Sequence, residues 1–416
     1  MDDIKLERAA VELNPWWKGG APDAKLLPRE LSGDIQKYLP GRQMIAVTGL
    51  RRTGKTMLLY RTIGRLLKAN RPESILYFSF DDFSDADPHG LPSVAKAING
   101  VEPKYLFFDE IQKVGGWQEK VKRLYDSGRH KIFLSGSESL FIKGKARESL
   151  AGRIYEFQLK PLSLSEYAMF SGAGANPRLN AAELRALFTE YLATGGFPEL
   201  VGVKDAAIVR KYARESILEK VLFYDVPRLF SIEEPSIMQS LLNIIIESPG
   251  LLVETSSLSR DLGVSRQTLS KYLYALEASL LVKKLYNFSK SRTSTERKLK
   301  KYYPAFACSA LTPGADELHI SRLVETACVL HADAQFFWRT PQKDEVDMVI
   351  DEGGTAMPVE IKWGRGAKAS GMEKFMAKFH CARGLVLTRE ARGSAGAIKR
   401  EPVIDFLLSR RGEAGR

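Results

Sequence analysis

Between Met44 and Leu159 short apolar runs alternate with amphipathic ones, and the alternation predicts buried strands separated by helices. Met44 to Thr48, Ser74 to Phe80, Tyr105 to Phe108, Lys131 to Ser137 and Ile154 to Leu159 have strand length and little polar interruption, as strands covered on both faces do. Helical spacing runs from Leu26 to Leu39, closed by the Pro40-Gly41 break, and from Met57 to Leu67. It returns from Lys204 through Leu222 and from Pro235 to Glu247. Leu251 to Asp261 then reads as a helix, Gly263 as a turn and Ser265 as the cap of a second helix, with a strand from Leu280 to Tyr286 beyond it. In the last third Leu318 to His331 has helical spacing, while Glu345 to Ile350 and Pro358 to Trp363 read as strands flanking the Gly353-Gly354 turn. The pattern as a whole is α/β.

The first strand runs directly into Gly49-Leu50-Arg51-Arg52-Thr53-Gly54-Lys55-Thr56, which fits G-x-x-x-x-G-K-[ST] and reads as a P-loop. Strand, glycine loop and helix in that order make a phosphate cradle. Gly49 and Gly54 let the backbone turn so that N–H groups, those of Arg52 and Thr53 among them, point inward, and the helix adds its positive end. Lys55 would reach the β- and γ-phosphates of ATP, and the Thr56 hydroxyl would hold Mg²⁺. The third strand closes on Asp109-Glu110. Asp109 suits the magnesium shell, and Glu110 can orient and deprotonate an attacking water. Ser137, where the fourth strand ends, is a candidate γ-phosphate sensor or simply a helix cap. Arg153, just before the fifth strand, is a candidate arginine finger or sensor in cis or in trans, or else a brace for the sheet.

The second helix of the middle segment turns Arg266, Gln267 and Lys271 away from its apolar stripe of Leu269, Leu273 and Leu276, which frees them for DNA. With the following strand and a basic tip from Lys290 through Arg292 to Lys301, the segment reads as a winged helix; subunit packing is the rival use of such a module. Further on, Asp347 and Glu360-x-Lys362 fit the PD-(D/E)xK nuclease pattern, with Val346 in place of the Pro and Glu325 on the preceding helix as a fourth member. Glu360 and Lys362 stand two apart in a strand and so share a face. Glu325, Asp347 and Glu360 would hold one or two Mg²⁺ that activate water and polarise a scissile phosphate, while Lys362 would orient the nucleophile or offset developing charge.

Asn14-Pro15-Trp16-Trp17, the glycine loop, Asp109-Glu110-Ile111-Gln112, Ser135-Gly136-Ser137, Leu150-Ala151-Gly152-Arg153, the stretch from Pro161 to Tyr167 and Gly195-Gly196-Phe197-Pro198-Glu199 run the length of the chain. Together they resemble the bacterial and archaeal AAA+-type ATPases with a winged helix and a C-terminal PD-(D/E)xK nuclease-like domain of the DUF4143 type. The resemblance implies a P-loop ATPase sheet over 1–165, a helical lid over 166–235, a winged helix-turn-helix over 236–301 and a restriction-endonuclease-like α/β domain over 302–416. It also implies that Pro198 belongs to a lid element that touches bound nucleotide and reports its state to the next domain. From the residues alone, that stretch is a tight turn between helices.

Charge narrows the choice of partner. The chain carries 62 Lys and Arg against 50 Asp and Glu. Between Gly250 and Lys301 eleven cations face four acids, so an acidic partner, DNA first, is expected. No run of about 18 apolar residues occurs, which argues against a membrane span. The acidic start without an apolar core argues against a secretory signal and for the cytoplasm. Cys308, Cys328 and Cys381 lie far apart and match no zinc spacing. The expectation is an ATP-hydrolysing, DNA-binding protein with ATP and Mg²⁺ as cofactors, for which a homo-oligomer is one option. Its C-terminal domain either cuts DNA under nucleotide control or is an inactive fold that binds nucleic acid or a partner. A protein-remodelling machine without a DNA role is the remaining rival.

Overall fold

The computed structural model describes residues 3–20, 22, 26–136, 150–174, 179–291, 295, 299–352, 354–364 and 370–409. The chain divides into two compact units, Met1–Lys160 and Pro161–Arg416. In the first, five parallel strands stand in the order β2-β3-β4-β1-β5: β1 (Met44–Thr48), β2 (Ile75–Ser79), β3 (Tyr105–Asp109), β4 (Lys131–Ser135) and β5 (Ile154–Gln158). Side chains alternate between the two faces of a strand. Met44, Ala46, Leu76, Phe78, Leu106, Phe108, Ile132 and Leu134 therefore share one core, which α4 (Leu91–Asn99) and α5 (Trp117–Asp126) cover. Ile45, Val47, Ile75, Tyr77, Phe107 and Phe133 share the other with α2 (Glu30–Lys37) and α3 (Lys55–Leu66). The fifth strand departs from the sequence expectation: it is an edge strand, with Tyr155, Glu156 and Gln158 exposed.

The opposite edge, β2, is closed by the segment that follows α1 (Asp3–Leu13). Asn14 pairs with Tyr77 as a strand residue would, its Nδ2 donating to the Tyr77 carbonyl at 2.8 Å and its Oδ1 accepting from the Tyr77 N–H at 2.7 Å. The indole N–H groups of Trp16 and Trp17 both donate to the Ile75 carbonyl, at 3.1 and 3.0 Å. Side chains thus satisfy the backbone groups that an open edge would expose.

The second unit holds a nine-stranded mixed sheet, assigned here in chain order as β6 (Leu251–Val253), β7 (Val282–Asn287), β8 (Lys300–Pro304), β9 (Phe336–Arg339), β10 (Glu345–Glu352), β11 (Thr355–Lys362), β12 (Gly384–Thr388), β13 (Gly393–Ala395) and β14 (Ile398–Pro402). Their spatial order is β13-β14-β12-β11-β10-β9-β7-β8-β6. Eleven residues expected as one helix divide: Leu251–Val253 pairs antiparallel with β8, and only Thr255–Asp261 is helical, as α11. The next helix, α12 (Arg266–Ala278), has the expected cap, Ser265 Oγ accepting from the Thr268 N–H at 3.0 Å. The helical run expected from Lys204 contains α8 (Ala206–Lys211) and then wider π-helical stretches at Tyr212–Leu218 and Val221–Asp225.

The expected domain boundaries fall inside this unit. The one at 301/302 would cut β8, and β7 pairs in parallel with β9, so the helix-turn-helix strands and the C-terminal strands form one sheet. Likewise α6 (Leu164–Phe170) and α7 (Ala181–Thr194), expected in a lid, bury Leu164, Tyr167, Leu187 and Phe188 in the core that holds Val324 and Cys328 of α13 (Glu317–His331) and Phe406 of α15 (Val403–Leu408). The stretch from Pro161 to Tyr167 contains a reciprocal N-cap, Ser163 with Glu166. Gly196 lies so close to Leu162 that a Cβ would stand 2.8 Å from its carbonyl oxygen.

Replacing Asn14 by Ala should orphan the Tyr77 N–H and carbonyl at once and destabilise the first unit by roughly 2–4 kcal/mol. Thermal unfolding of the two chains checks this, and an unchanged midpoint would contradict the edge-closing role.

Candidate functional site

The glycine loop lies beyond the C-terminal end of β1, which stands between β4 and β5, and its own chain holds it in shape. Gly49 has φ +151°, and a Cβ there would meet the Leu159 oxygen at 2.3 Å, so glycine is required. Arg52 and Gly54 have positive φ values of 65° and 92°, the kind of turn that directs successive N–H groups into a concavity. Lys55 is buried, with Nζ donating to the Gly49 and Leu50 carbonyls at 3.0 Å each. Thr53 Oγ1 donates to the Leu50 carbonyl at 2.9 Å. Arg29, which the sequence did not single out, clamps the loop by donating to the Thr53 and Lys160 carbonyls, both at 2.7 Å.

Asp109 is the centre of the site and is buried. Its Oδ2 accepts from Thr56 Oγ1 at 2.6 Å and from the Tyr77 hydroxyl at 2.9 Å; its Oδ1 accepts from Ser135 Oγ and from the Glu110 N–H at 3.1 Å. Burial first, and then the charge of Asp109, push the Tyr77 hydroxyl far up, so it remains a donor. Thr56 and Asp109 together present hard oxygen donors side by side, a set that fits Mg²⁺. Glu110 adopts a left-handed backbone, φ 53°, and its Oε2 accepts from Gln112 Nε2 at 2.6 Å. Burial raises its pKa, opposed by Lys55 and supported by Asp109, which is the direction a general base needs.

Two further expected ATPase residues have the following surroundings. Arg153 sits at the other end of the sheet, its carbonyl bonded to Met44 N at the start of β1 and its guanidinium paired with Asp126 at 3.2 Å. The loop follows Thr48, four strand residues or about 13 Å further along, so Arg153 stands at the end of the strands away from the loop of its own chain. Pro198 opens a 3-10 turn in the second unit, where Phe197 packs edge-on against Phe306. Ser137 lies outside the described residues. Its neighbour Ser135 reaches Asp109, which strand register explains: Phe108 pairs with Leu134, so the next residues stand side by side.

In the second unit, Glu360 and Lys362 share a face as expected, 2.9 Å apart, and the Glu360 Oε1 accepts from the Met372 N–H at 3.0 Å. Asp347 Oδ2 accepts from the Ile361 N–H at 2.8 Å. Glu325 meets an unforeseen partner, Lys301, at 2.8 Å, and the Tyr303 hydroxyl at 2.6 Å; Lys301 also reaches Glu345 at 2.9 Å. Burial alone would lower the Lys301 pKa, but Glu325, then Tyr303, Glu345 and Asp347, hold it well above the usual value. Among the described residues, no three His, Cys, Asp or Glu form a group that could hold a metal ion. Glu325, Asp347 and Glu360 each accept from a protein donor in this structure.

The helix-turn-helix residues Arg266 and Gln267 are exposed, as is Lys290. Lys271 is exposed but donates to the Ser231 carbonyl at 2.8 Å. Of the basic residues counted in this stretch, Lys283 pairs with Asp333, Lys284 with Glu277, and Lys301 is internal. Arg292 lies outside the described residues.

Residues 41–168 match the family model described as an AAA domain; residues 185–305 and 320–400 match the domains of unknown function DUF8612 and DUF4143. The loop, the Asp109 centre and this match define the first unit as an AAA-type P-loop domain, a nucleotide-binding class. AAA and DUF4143 matches in one chain support an AAA-type ATPase family. An uncharacterized protein of Methanocaldococcus jannaschii is 30% identical over 293 residues, 67% of this chain and 64% of that protein. One of Haemophilus influenzae is 29% identical over 246 residues, 56% of this chain and 60% of that protein. The chain thus spans under two thirds of the length of these two relatives. Among solved structures, AMPPCP-bound DnaA from Aquifex aeolicus is similar at 15% identity over 64% of this chain and 92% of that chain, with a TM-score of 0.33. The Aeropyrum pernix ORC1 protein in complex with DNA is similar at 15% identity over 72% and 93%, with a TM-score of 0.32. Likeness at that level carries no argument about ligands. Among the described residues no helix is long and apolar enough to cross a membrane.

Burial, and then the charge of Glu325, push the Asp347 carboxyl up to about 7 from its ordinary value. A carboxyl raised on folding stabilises fully below the ordinary carboxylate range, and that contribution is lost as pH rises through about 7. The native chain should therefore lose more thermal stability between about pH 5 and about pH 8 than Asp347→Asn does. Parallel pH profiles for the two chains would contradict the assignment.

Proposed function

We propose that this protein is an ATP-hydrolysing switch that binds DNA through the helix-turn-helix segment. The observation that carries the ATPase reading is the 2.6 Å contact between Thr56 Oγ1 and Asp109 Oδ2, with Glu110 next in the chain. Thr56 and Asp109 would hold Mg²⁺, which when bound supplies charge to the phosphates. The remaining work falls to the chain itself. Loop N–H groups bind the phosphates, Lys55 exchanges its two carbonyl partners for phosphate oxygens, and Glu110 takes a proton from the attacking water. A finger role for Arg153 would require a second copy of the chain.

The DNA reading rests on Arg266 and Gln267, exposed at the first turn of α12, where a helix entering the major groove makes its contacts. In this reading α11 and α12 with β7 and β8 form a winged helix. The C-terminal domain is read as a nuclease-like fold that binds nucleic acid or a partner without cutting, a reading supported by the finding that no three His, Cys, Asp or Glu among the described residues form a group that could hold a metal ion. Nucleotide state would set when the second unit engages DNA.

Glu110→Gln should keep ATP affinity and lose turnover by about 10²–10⁴-fold, the usual weight of a positioned general base. Undiminished turnover would move the base elsewhere. DNA affinity should fall with rising salt, and Arg266→Ala should weaken it by about 1–3 kcal/mol if the side chain reads a base edge, or reduce the salt slope by about one ion if it meets a phosphate. A flat salt response in the native chain would remove the DNA reading.

A further inference from the structure

The carboxylate that takes the water's proton in the proposed reaction is itself held by a neighbouring amide. Gln112 Nε2 donates to Glu110 Oε2 at 2.6 Å. The Glu110 backbone N–H donates to Asp109 Oδ1 at 3.1 Å, so the main chain of the base is fixed to the carboxylate at the centre of the site. No hydrogen bond from a described residue reaches the other oxygen, Glu110 Oε1.

The turn that carries Gln112 is pinned on both sides of it. Glu110 takes a left-handed backbone, φ 53°, which a residue with a side chain keeps only where its surroundings hold it there. Ile111–Lys113 then forms a 3-10 turn, in which the Lys113 N–H donates to the Glu110 carbonyl at 3.0 Å and the Val114 N–H to the Ile111 carbonyl at 3.1 Å. Ile111 is fully buried in the core that α4 and α5 cover. On the other side, Lys113 Nζ donates to the Asp81 carbonyl at 3.2 Å and pairs with the Asp81 carboxylate. The anchored neighbours leave Gln112 little but its side-chain torsions, and its amide is set beside the carboxylate in the nucleotide-free protein.

An N–H on one oxygen of a carboxylate fixes the plane of the group and the directions of its lone pairs. Proton transfer depends on that aim, because a base works only within hydrogen-bond reach and in the right orientation. We infer that Gln112 is the positioning residue of Glu110, its amide holding Oε2 so that Oε1 faces the attacking water. Gln112 acts through Glu110 and is not itself catalytic. The inference rests on the reading of Glu110 as the general base.

A double-mutant cycle on ATP turnover, with ATP affinity measured alongside, tests it. Gln112→Leu removes the donor and keeps the bulk. It should lower kcat by ~10–100-fold, the scale of a misaimed reacting group, and leave KM and ATP affinity within about 2-fold of native. Gln112→Glu, of similar shape but without the N–H, should do the same. Added to Glu110→Gln, neither change should cause a further loss, since no base is left to aim. A further loss in that background would overturn the inference, because a structural role would produce it. So would native kcat in both Gln112 variants while Glu110→Gln is inactive, a rise in kcat, or the loss of the folded state in both. Undiminished turnover in Glu110→Gln would instead remove the base itself, and the inference would fall with that reading.

Discussion

A buried carboxylate needs donors, and Asp109 obtains them from three neighbouring elements and its own chain. That requirement organises the first unit. Parallel register brings Ser79 on β2 beside Asp109 and sets Ser135 next to it on β4, while Thr56 arrives from the first turn of α3. Tyr77 completes the set from two residues back on β2, and Asn14 fixes the Tyr77 backbone from 63 residues earlier in the chain. The Asn-Pro-Trp-Trp segment is thus linked to Asp109 through Tyr77, whose backbone bonds Asn14 and whose hydroxyl bonds the Asp109 carboxylate.

The second unit obeys the same rule with opposite consequences. Lys301 satisfies Glu325 and Glu345, Lys284 satisfies Glu277 and Lys283 satisfies Asp333, so cations that look like a DNA-binding excess neutralise the protein's own acids. What remains outward among the described residues includes Arg260, Arg266, Lys271 and Lys290. In the proposed DNA reading, electrostatic attraction would act through that surface set, which is narrower than the count along the chain.

Much of the first unit was legible because its signals are local. The strand before the glycine loop, the loop itself and Asp109-Glu110 each sit within a few residues, and period and spacing identify them. Tyr77, Arg29 and Ser135 escaped because their role comes from register between strands and from loops folding back, which no window of sequence contains. The surroundings of Arg153 escaped for the same reason: its place before β5 is local, but parallel pairing puts that end of the strand away from the loop. In the second unit Glu360 and Lys362 were found through their two-residue spacing. Lys301 was not, since its partners lie 24 and 44 residues away and meet it only once β8 joins the sheet. The strand at Leu251–Val253 was read as helix because three apolar residues ahead of a helical stretch carry no period of their own.

The central claim is that Asp109 and its donors form a working nucleotide-hydrolysis centre. Phosphate release from ATP, measured with nucleotide binding in the same preparation across Mg²⁺ concentrations, tests it most directly on the native chain and Asp109→Asn. The account predicts turnover in the native chain, and in the variant retained ATP binding with turnover lost or recovered only at far higher Mg²⁺. No release from a native chain that binds ATP, or equal release from both chains at equal Mg²⁺, would contradict it.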